Sequence, residues 1–202
     1  SKGFRYPTIR ELYMFRPANA DLNPEKLWSY ELSYSQRLLQ GQLSYGVNAF
    51  YIDGKDLIMR VPVDGRQMNV NTGKVENAGV EAQVAYRLAS AWSLDANYSY
   101  LHMDNPVLAS PEHKLYAGAA FSKGRWYVST GCQYVAGLYT EVKVAGQGDY
   151  ATEDFVLWNL RGSFRALEWL NIWVRGENLL ARKYEINARF PMPKATVMAG
   201  MN

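Results

Sequence analysis

The chain has a single cysteine, Cys132, which excludes an internal disulfide framework and any cysteine-cluster metal site. It has only two histidines, His102 and His113, and no His-Glu-x-x-His. A Gly-rich phosphate loop and a serine nucleophile elbow are also missing, so the sequence predicts no enzyme, no metal and no cofactor. No apolar run approaches the roughly 20 residues that a helix needs to cross a bilayer. The formal charge of +3 comes without a Lys/Arg cluster and gives nucleic acid no footing. Helical periodicity is almost absent. The opening Ser1-Lys2-Gly3-Phe4 has no signal-peptide character and reads as the interior of a longer chain.

What the chain does have is aromatic residues and a period of two. Aromatics make up 14%, with 15 Tyr and 6 Trp against 7 Phe, an excess of rings that have one polar end. In "WSYELSYSQRLLQGQLSYGVNAFYI" (28–52), Trp28, Tyr30, Leu32 and Tyr34 alternate with Ser29, Glu31, Ser33 and Ser35. After Leu39-Gln40-Gly41-Gln42 the pattern resumes, with Leu43, Tyr45, Val47, Ala49 and Tyr51 against Ser44, Gly46 and Asn48. Successive strand side chains point to opposite faces, so this is a hairpin with one apolar and one polar face. A soluble sandwich would hide the apolar face against a second sheet, whereas a membrane barrel would turn it to lipid.

The same texture continues through 74–88, 92–100, 115–121, 126–134, 156–164, 170–174 and, more weakly, 194–202. This makes about nine strands plus a stub at 2–6, with uniform texture over the whole length and therefore one all-β domain. Short turns fall near 40, 90, 123 and 167. Longer polar connections fall near 60, 107, 143 and 187, the first reading as a loop from Asp53 to about Gln67 and the third as a Gly-rich loop at 137–149. Short–long alternation is expected when one rim of a barrel carries tight turns and the other carries loops, whereas Greek-key sandwiches mix lengths. The fold class expected is an antiparallel up-and-down transmembrane β-barrel, partial, with about nine or ten strands.

The two faces have different expected surroundings. Trp92 and Trp126 each open a strand after a short turn, on the apolar face, and with Trp28 they are the candidate membrane-interface girdle. Tryptophans covering the open end of a soluble barrel are the alternative. Trp169 follows a third short turn but falls on the polar face by parity with Leu170, which predicts a bulge or an inward ring. The polar face carries Glu31, Glu81, Arg87, Asp95, Arg161, Arg175 and Glu177, the expected lumen-facing set, with Arg37 and Arg165 beside them. So many charges in a closed core would cost several kcal/mol each unless paired, and a wide lumen removes that cost.

Four strings resemble the C-terminal part of the barrel of TonB-dependent outer-membrane receptors, in family order across nearly all of the chain. "GFRYPTIRELY" (3–13) is similar to the family's Phe-Arg-x-Pro-(Thr/Ser)-x-x-Glu-Leu, and "NPEKLWSYELSY" (23–34) to its Pro-Glu…Tyr-Glu-Leu-Gly. "NAGVEAQ" (77–83) is similar to Asn-x-Gly-(Val/Ile)-Glu, and "RGENLLARKYE" (175–185) to the Asn-Leu-(Phe/Leu)-(Asp)-x-x-Tyr of the penultimate strand. Ser33 stands where the family usually has Gly, Ala181 where it often has Asp, and Pro193-Lys194 where the closing strand has Pro-Gly-Arg. The resemblance implies a fragment (1–202) of an active transporter in the outer membrane of a Gram-negative bacterium. It would import a scarce large solute, such as a siderophore, corrinoid, haem or glycan, energised through TonB. Such receptors have about 22 strands around a plug, and no segment here resembles the plug or the TonB-engaging box. The implied partners are outer-membrane lipid, the receptor's own plug, the energising TonB complex and the extracellular solute. Loops 54–70, 138–150 and 185–190 would capture ligand.

Two other readings remain at this stage, a self-contained small outer-membrane barrel with an adhesive or structural role and a soluble barrel binding an apolar ligand inside. His102 and His113 are expected as plain loop residues in or beside 104–111, and Cys132 as a small apolar-face residue. Asp104/Glu112 and Glu153/Asp154 are carboxylate pairs expected in solvated loops. About ten strands cut from a larger barrel have two open edges, so the chain is expected to curl into a smaller closed barrel or to pair its edges with neighbours.

Overall fold

A computed structural model describes residues 1–88, 90–141 and 151–202. Its strands are β1 (Lys2–Arg5), β2 (Glu25–Leu38), β3 (Leu43–Val63), β4 (Arg66–Arg87), β5 (Trp92–Met103), β6 (His113–Lys123), β7 (Trp126–Glu141), β8 (Ala151–Leu167), β9 (Leu170–Glu177), β10 (Glu185–Asn187), β11 (Phe190–Pro191) and β12 (Thr196–Met201). One short helix, α1 (Ile9–Leu12), precedes β2. Ten strands form one sheet in the order β1-β2-β3-β4-β5-β6-β7-β8-β9-β12, and β10 pairs only with β11. The nine expected strands and the stub are therefore all present, each beside its sequence neighbour. Among the described residues β1 and β12 are the two edges of the order and do not pair with each other, so the expected closure into a small barrel is not found.

The chain divides into two compact units. The first comprises Ser1–Leu32, Ala49–Gly79 and His102–Asn105, and the second Ser33–Asn48, Val80–Leu101 and Pro106–Asn202. In the second unit the registers follow two separate faces across the strands. Trp92, Phe121, Val128, Gly162, Val174 and Ala199 are successive Cα partners on one face. Ser93, Ala120, Ser129, Arg161, Arg175 and Met198 follow the next row on the other. Among the described residues the apolar face of this unit has no cover: Trp126 is 57% exposed and Val197 70%, and no large side chain is fully buried. A sandwich would bury those residues, so that reading fails.

Register on the polar face is keyed by rings lying over glycines. A Cβ on Gly131 would stand 2.7 Å from the Tyr116 ring, and one on Gly200 would stand 2.5 Å from Trp173. Each glycine belongs to the strand next to its ring's strand. Glycine costs strand stability by itself, but here its bare backbone supplies the bed on which a neighbouring ring lies.

Two expected loops are different in the structure. Asp53 to Gln67 is not a loop: β3 and β4 run through it and turn at Asp64-Gly65, where both residues have positive φ (47° and 73°). The turn-forming run Asp53-Gly54-Lys55-Asp56 is accommodated because Asp56 takes φ 60°, and Asn71 Nδ2 donates to the Asp56 carbonyl at 2.6 Å. Such a positive-φ residue within a strand has the character of a bulge, which sequence alternation alone does not reveal. The Gly-rich loop is shorter than expected, since β7 continues through a register shift at Gly137 (φ 64°) to Glu141. The remainder of that loop, 142–150, lies outside the described residues. Trp169 stands in the turn between β8 and β9 and is 76% exposed.

Gly131→Val is expected to destabilise the folded chain by about 1–3 kcal/mol, because the Tyr116 ring must leave its bed. Urea unfolding of the chain folded in lipid vesicles measures this. Adding Tyr116→Ala should recover part of the loss, and strict additivity of the two changes would disprove the keying.

Candidate functional site

In each unit a connecting segment folds against strand side chains and is tied there by polar groups. In the first unit this segment is 6–24. Thr8 and Glu11 form a capping box at α1, with the Glu11 N–H donating to Thr8 Oγ1 at 3.3 Å and the Thr8 N–H donating to Glu11 Oε2 at 2.8 Å. Arg5 then donates to two carboxylates, Glu25 at 2.6 Å and Glu11 at 3.0 Å. Glu25 also accepts the Ile58 N–H at 2.9 Å, so one guanidinium joins β1, α1, β2 and β3. The Arg5 bonds, with the Thr8 N–H second, hold the Glu11 carboxyl down at about 2, and Arg5 likewise lowers Glu25. Asparagines fasten the rest: the Asn23 N–H donates to Asn71 Oδ1 at 2.8 Å, and Asn19 Nδ2 donates to the Asn69 carbonyl at 2.9 Å.

In the second unit the segment is 178–193, which begins at Asn178, 5% exposed with φ 48°. Its Nδ2 donates to the carbonyls of Arg182 at 2.8 Å and Pro193 at 3.0 Å, and its Oδ1 accepts the Arg182 N–H at 3.0 Å. One side chain thus closes both ends of the segment. The returning β10–β11 hairpin covers the principal apolar cluster of described buried residues, Val135, Leu138 and Phe155, with Tyr184 and Ile186 packed against it. The Tyr184 and Phe155 ring centroids are 4.4 Å apart. Glu153 and Asp154, expected in a solvated loop, lie in β8 and accept the backbone N–H groups of Glu185 at 2.7 Å and Gly137 at 2.7 Å. Glu112 accepts the Tyr139 hydroxyl at 2.8 Å.

Of the sequence-derived polar set, Asp95, Arg161, Arg175 and Glu177 lie in the registered strands. Asp95 lies in the row of Gly118, Gly131 and Asn159, Arg161 is the Cα partner of Arg175, and Glu177 is two residues beyond Arg175 and bonded to it. Glu81 and Arg87 share the strand face of Gln83, whose amide is 3.4 Å from where a Gly46 Cβ would stand. Glu31 is two residues before Ser33, whose hydroxyl donates to Asn48 at 2.8 Å. A depression of about 690 Å³ bordered by Arg37, Ser44, Gln83 and Asp95 joins these rows within the second unit.

On the apolar face, Trp92 packs on Phe121 at 5.0 Å and Trp126 on Phe164 at 4.5 Å, both beside short turns. Tyr34 and Tyr45 both donate to Gln36 near the turn at Leu39–Gly41, at 2.9 and 2.6 Å. Trp28 stacks on Tyr30 toward the other end of β2, with Lys2 Nζ 4.8 Å from its ring centre. His113 is not a loop residue. It opens β6, with Tyr98 Oη 2.8 Å from its Nδ1, and His102 lies inside β5. Cys132 stands between Ala117 and Trp158 in an apolar row, exposed.

Of the expected capture loops, 54–70 is strand and turn, 138–141 is strand with 142–150 outside the described residues, and 185–190 is the folded hairpin. Arg5, Glu11, Glu25, Asn71 and Asn159 were missed as organising residues. Only the capping-box string Thr8-Ile9-Arg10-Glu11 carries a local signal.

The model of the family described as TonB dependent receptor-like, beta-barrel matches residues 1–179. Solved structures share the fold at low identity. The copper transporter OprC aligns at 18% identity and TM-score 0.76, over 99% of this chain and 36% of its own. The ferric-catecholate import receptor Fiu of E. coli K12 aligns at 18% identity and TM-score 0.72, over 91% of this chain and 28% of its own. The FrpB iron transporter of Neisseria meningitidis aligns at 16% identity and TM-score 0.74, over 90% and 31% respectively. The chain therefore spans about a third of the length of these neighbours. No curated protein matches it. Up-and-down strand order, unclosed sheet and family match together make this part of a transmembrane barrel wall in the Gram-negative outer membrane, and the chain belongs to the TonB-dependent receptor β-barrel family.

Proposed function

We propose that residues 1–202 form the C-terminal part of the wall of an outer-membrane active transporter that captures a scarce solute at the cell surface and is energised through TonB. The observation that carries this reading is that 6–24 and 178–193 are each folded against strands of their own unit and tied there by polar side chains. Ordered segments there give a receptor a shaped entrance, whereas an adhesin would be expected to present its loops outward. The polar face is the inner one, where Glu31, Glu81, Arg87, Asp95, Arg161, Arg175 and Glu177 meet water or the receptor's own plug. The open edges β1 and β12 are where further strands of the barrel pair, since an unpaired edge in lipid is costly.

The apolar face meets lipid. Trp28 belongs to the girdle at the outer surface, and Trp92 and Trp126 to the one at the inner surface. From Trp28 to Leu38 the strand covers about 33 Å, which at the usual tilt of about 45° is ~23 Å of height, close to the apolar band of such barrels. The names of the neighbouring proteins, a copper transporter and a ferric-catecholate receptor, favour a metal ion or metal complex as the solute.

Deleting the gene should lower uptake of ⁶⁴Cu or of a ⁵⁵Fe-catecholate complex at least tenfold at limiting concentration, and the full gene should restore it. Unchanged uptake of both would remove the metal reading. In vesicles of lipid brominated along the acyl chain, a variant keeping Trp126 as its only tryptophan should lose most of its fluorescence, while one keeping only Trp173, on the inner face, should keep it. Equal quenching of the two would invert or abolish the assigned faces.

Acid should open the entrance segment. Glu11 and Glu25 have folded pKa values below their ordinary ones, so the stability they contribute is full above the ordinary carboxylate range. It is lost as pH falls through the folded values, for Glu11 about 2. Proteolytic nicking by pepsin within 6–24 should therefore stay slow near pH 4 and rise steeply toward pH 2. Arg5→Met should nick rapidly at both.

A further inference from the structure

The polar face holds a pair of like charges of which the fold compensates only one. Arg161 on β8 and Arg175 on β9 are direct Cα partners, so their side chains leave the sheet side by side on one face. Like charges directly opposite on an antiparallel pair are destabilising. Arg175 is bonded to Glu177 on its own strand, while Arg161 has neither hydrogen bond nor ion pair among the described residues. The pair with its single carboxylate thus retains a positive charge.

Neutral donors surround that charge. Arg161 and Arg175 border a depression of about 130 Å³ together with Tyr116, Ser129 and Asn159. Ser129 is the Cα partner of Arg161 on β7. Asn159 uses its Oδ1 to accept the Asn178 N–H at 2.9 Å, which turns its role toward donation, and its NH₂ has no partner among the described residues. The volume equals that of about four waters, enough for a carboxylate or phosphate group and too small for a whole metal complex. The Arg161 guanidinium, the donors that Arg175 does not spend on Glu177, an amide NH₂ and a hydroxyl form a donor set for oxyanion oxygens, and charge-assisted bonds of this kind are the strong ones.

We propose that Arg161 and Arg175, with Asn159 and Ser129, bind an oxyanion, a carboxylate or phosphate, inside the wall. The proposal rests on the polar face being the inner one. The anionic group belongs either to a passing solute or to a polypeptide segment filling the interior. The Asn159–Asn178 bond connects the site to the folded segment 178–193, so occupancy also bears on how that segment is held.

Modification by phenylglyoxal, read residue by residue by mass spectrometry, tests this on the chain folded in neutral detergent. Inorganic phosphate should slow modification of Arg161 and Arg175 about fivefold or more while leaving the exposed Arg66 unchanged. Arg161→Gln should abolish protection at Arg175, and Arg175→Gln should abolish it at Arg161, each variant being checked for retained β circular dichroism. Absent protection, equal protection of Arg66, or protection surviving in both variants would overturn the site. In the full-length receptor the same measurement identifies the source. Arginines already resistant without added anion mean a carboxylate from the receptor's own polypeptide, and arginines that resist only after phosphate or citrate is added mean a solute. The readout involves no uptake, so a receptor that carries no metal would fail the transport reading and leave this test intact.

Discussion

An unpaired backbone amide or carbonyl in hydrocarbon costs several kcal/mol, and a strand within a bilayer can satisfy those groups only through its neighbours. Pairing fixes register, and register fixes everything else about the wall. Once Arg161 is opposite Arg175 and Val128 opposite Gly162, every second residue on each strand is committed to one face. A slip by one residue would put Arg161 in the apolar row and Leu160 in the polar one. That cost is what keeps the alternation strict over the strand stretches beside the short turns.

Alternation therefore explains what was legible in the sequence. Trp92, Leu94, Ala96 and Tyr98 against Ser93, Asp95 and Asn97 could be read directly, and the structure keeps that partition across β5 to β9. The same logic fails beyond the membrane, where water satisfies backbone groups and two-faced patterning is no longer required. At Asp53–Asp56 the residues look like a turn, yet the hairpin continues, because a positive-φ residue and an asparagine amide absorb the irregularity. Composition alone cannot distinguish a loop from a strand that leaves the membrane still paired.

The organising residues of the two folded segments were harder to read for a related reason. Arg5 meets Glu25 across twenty positions of sequence, and Asn178 meets Pro193 across fifteen. Neither contact has a local period. The strings "GFRYPTIRELY" and "RGENLLARKYE" marked the places by family resemblance, without a physical reason. The structure supplies the reason: Arg5, Glu11 and Asn178 replace the backbone pairing that a loop lacks, each with several bonds from one side chain.

Glycine on the polar face completes the division of labour. Gly131 and Gly200 let the Tyr116 and Trp173 rings approach closer to the neighbouring strand than a Cβ would allow. Larger residues there would fill the interior with side chains, as in a small barrel whose core is its own lining. Rings seated on glycine instead key the register from one strand to the next. Glu177 neutralises only part of the charge beside it, because register places both Arg161 and Arg175 on that face as Cα partners. The same pairing that protects the backbone from lipid thus makes two arginines direct partners on one face, an arrangement that costs stability and that a strand slip could relieve only by turning charges toward lipid.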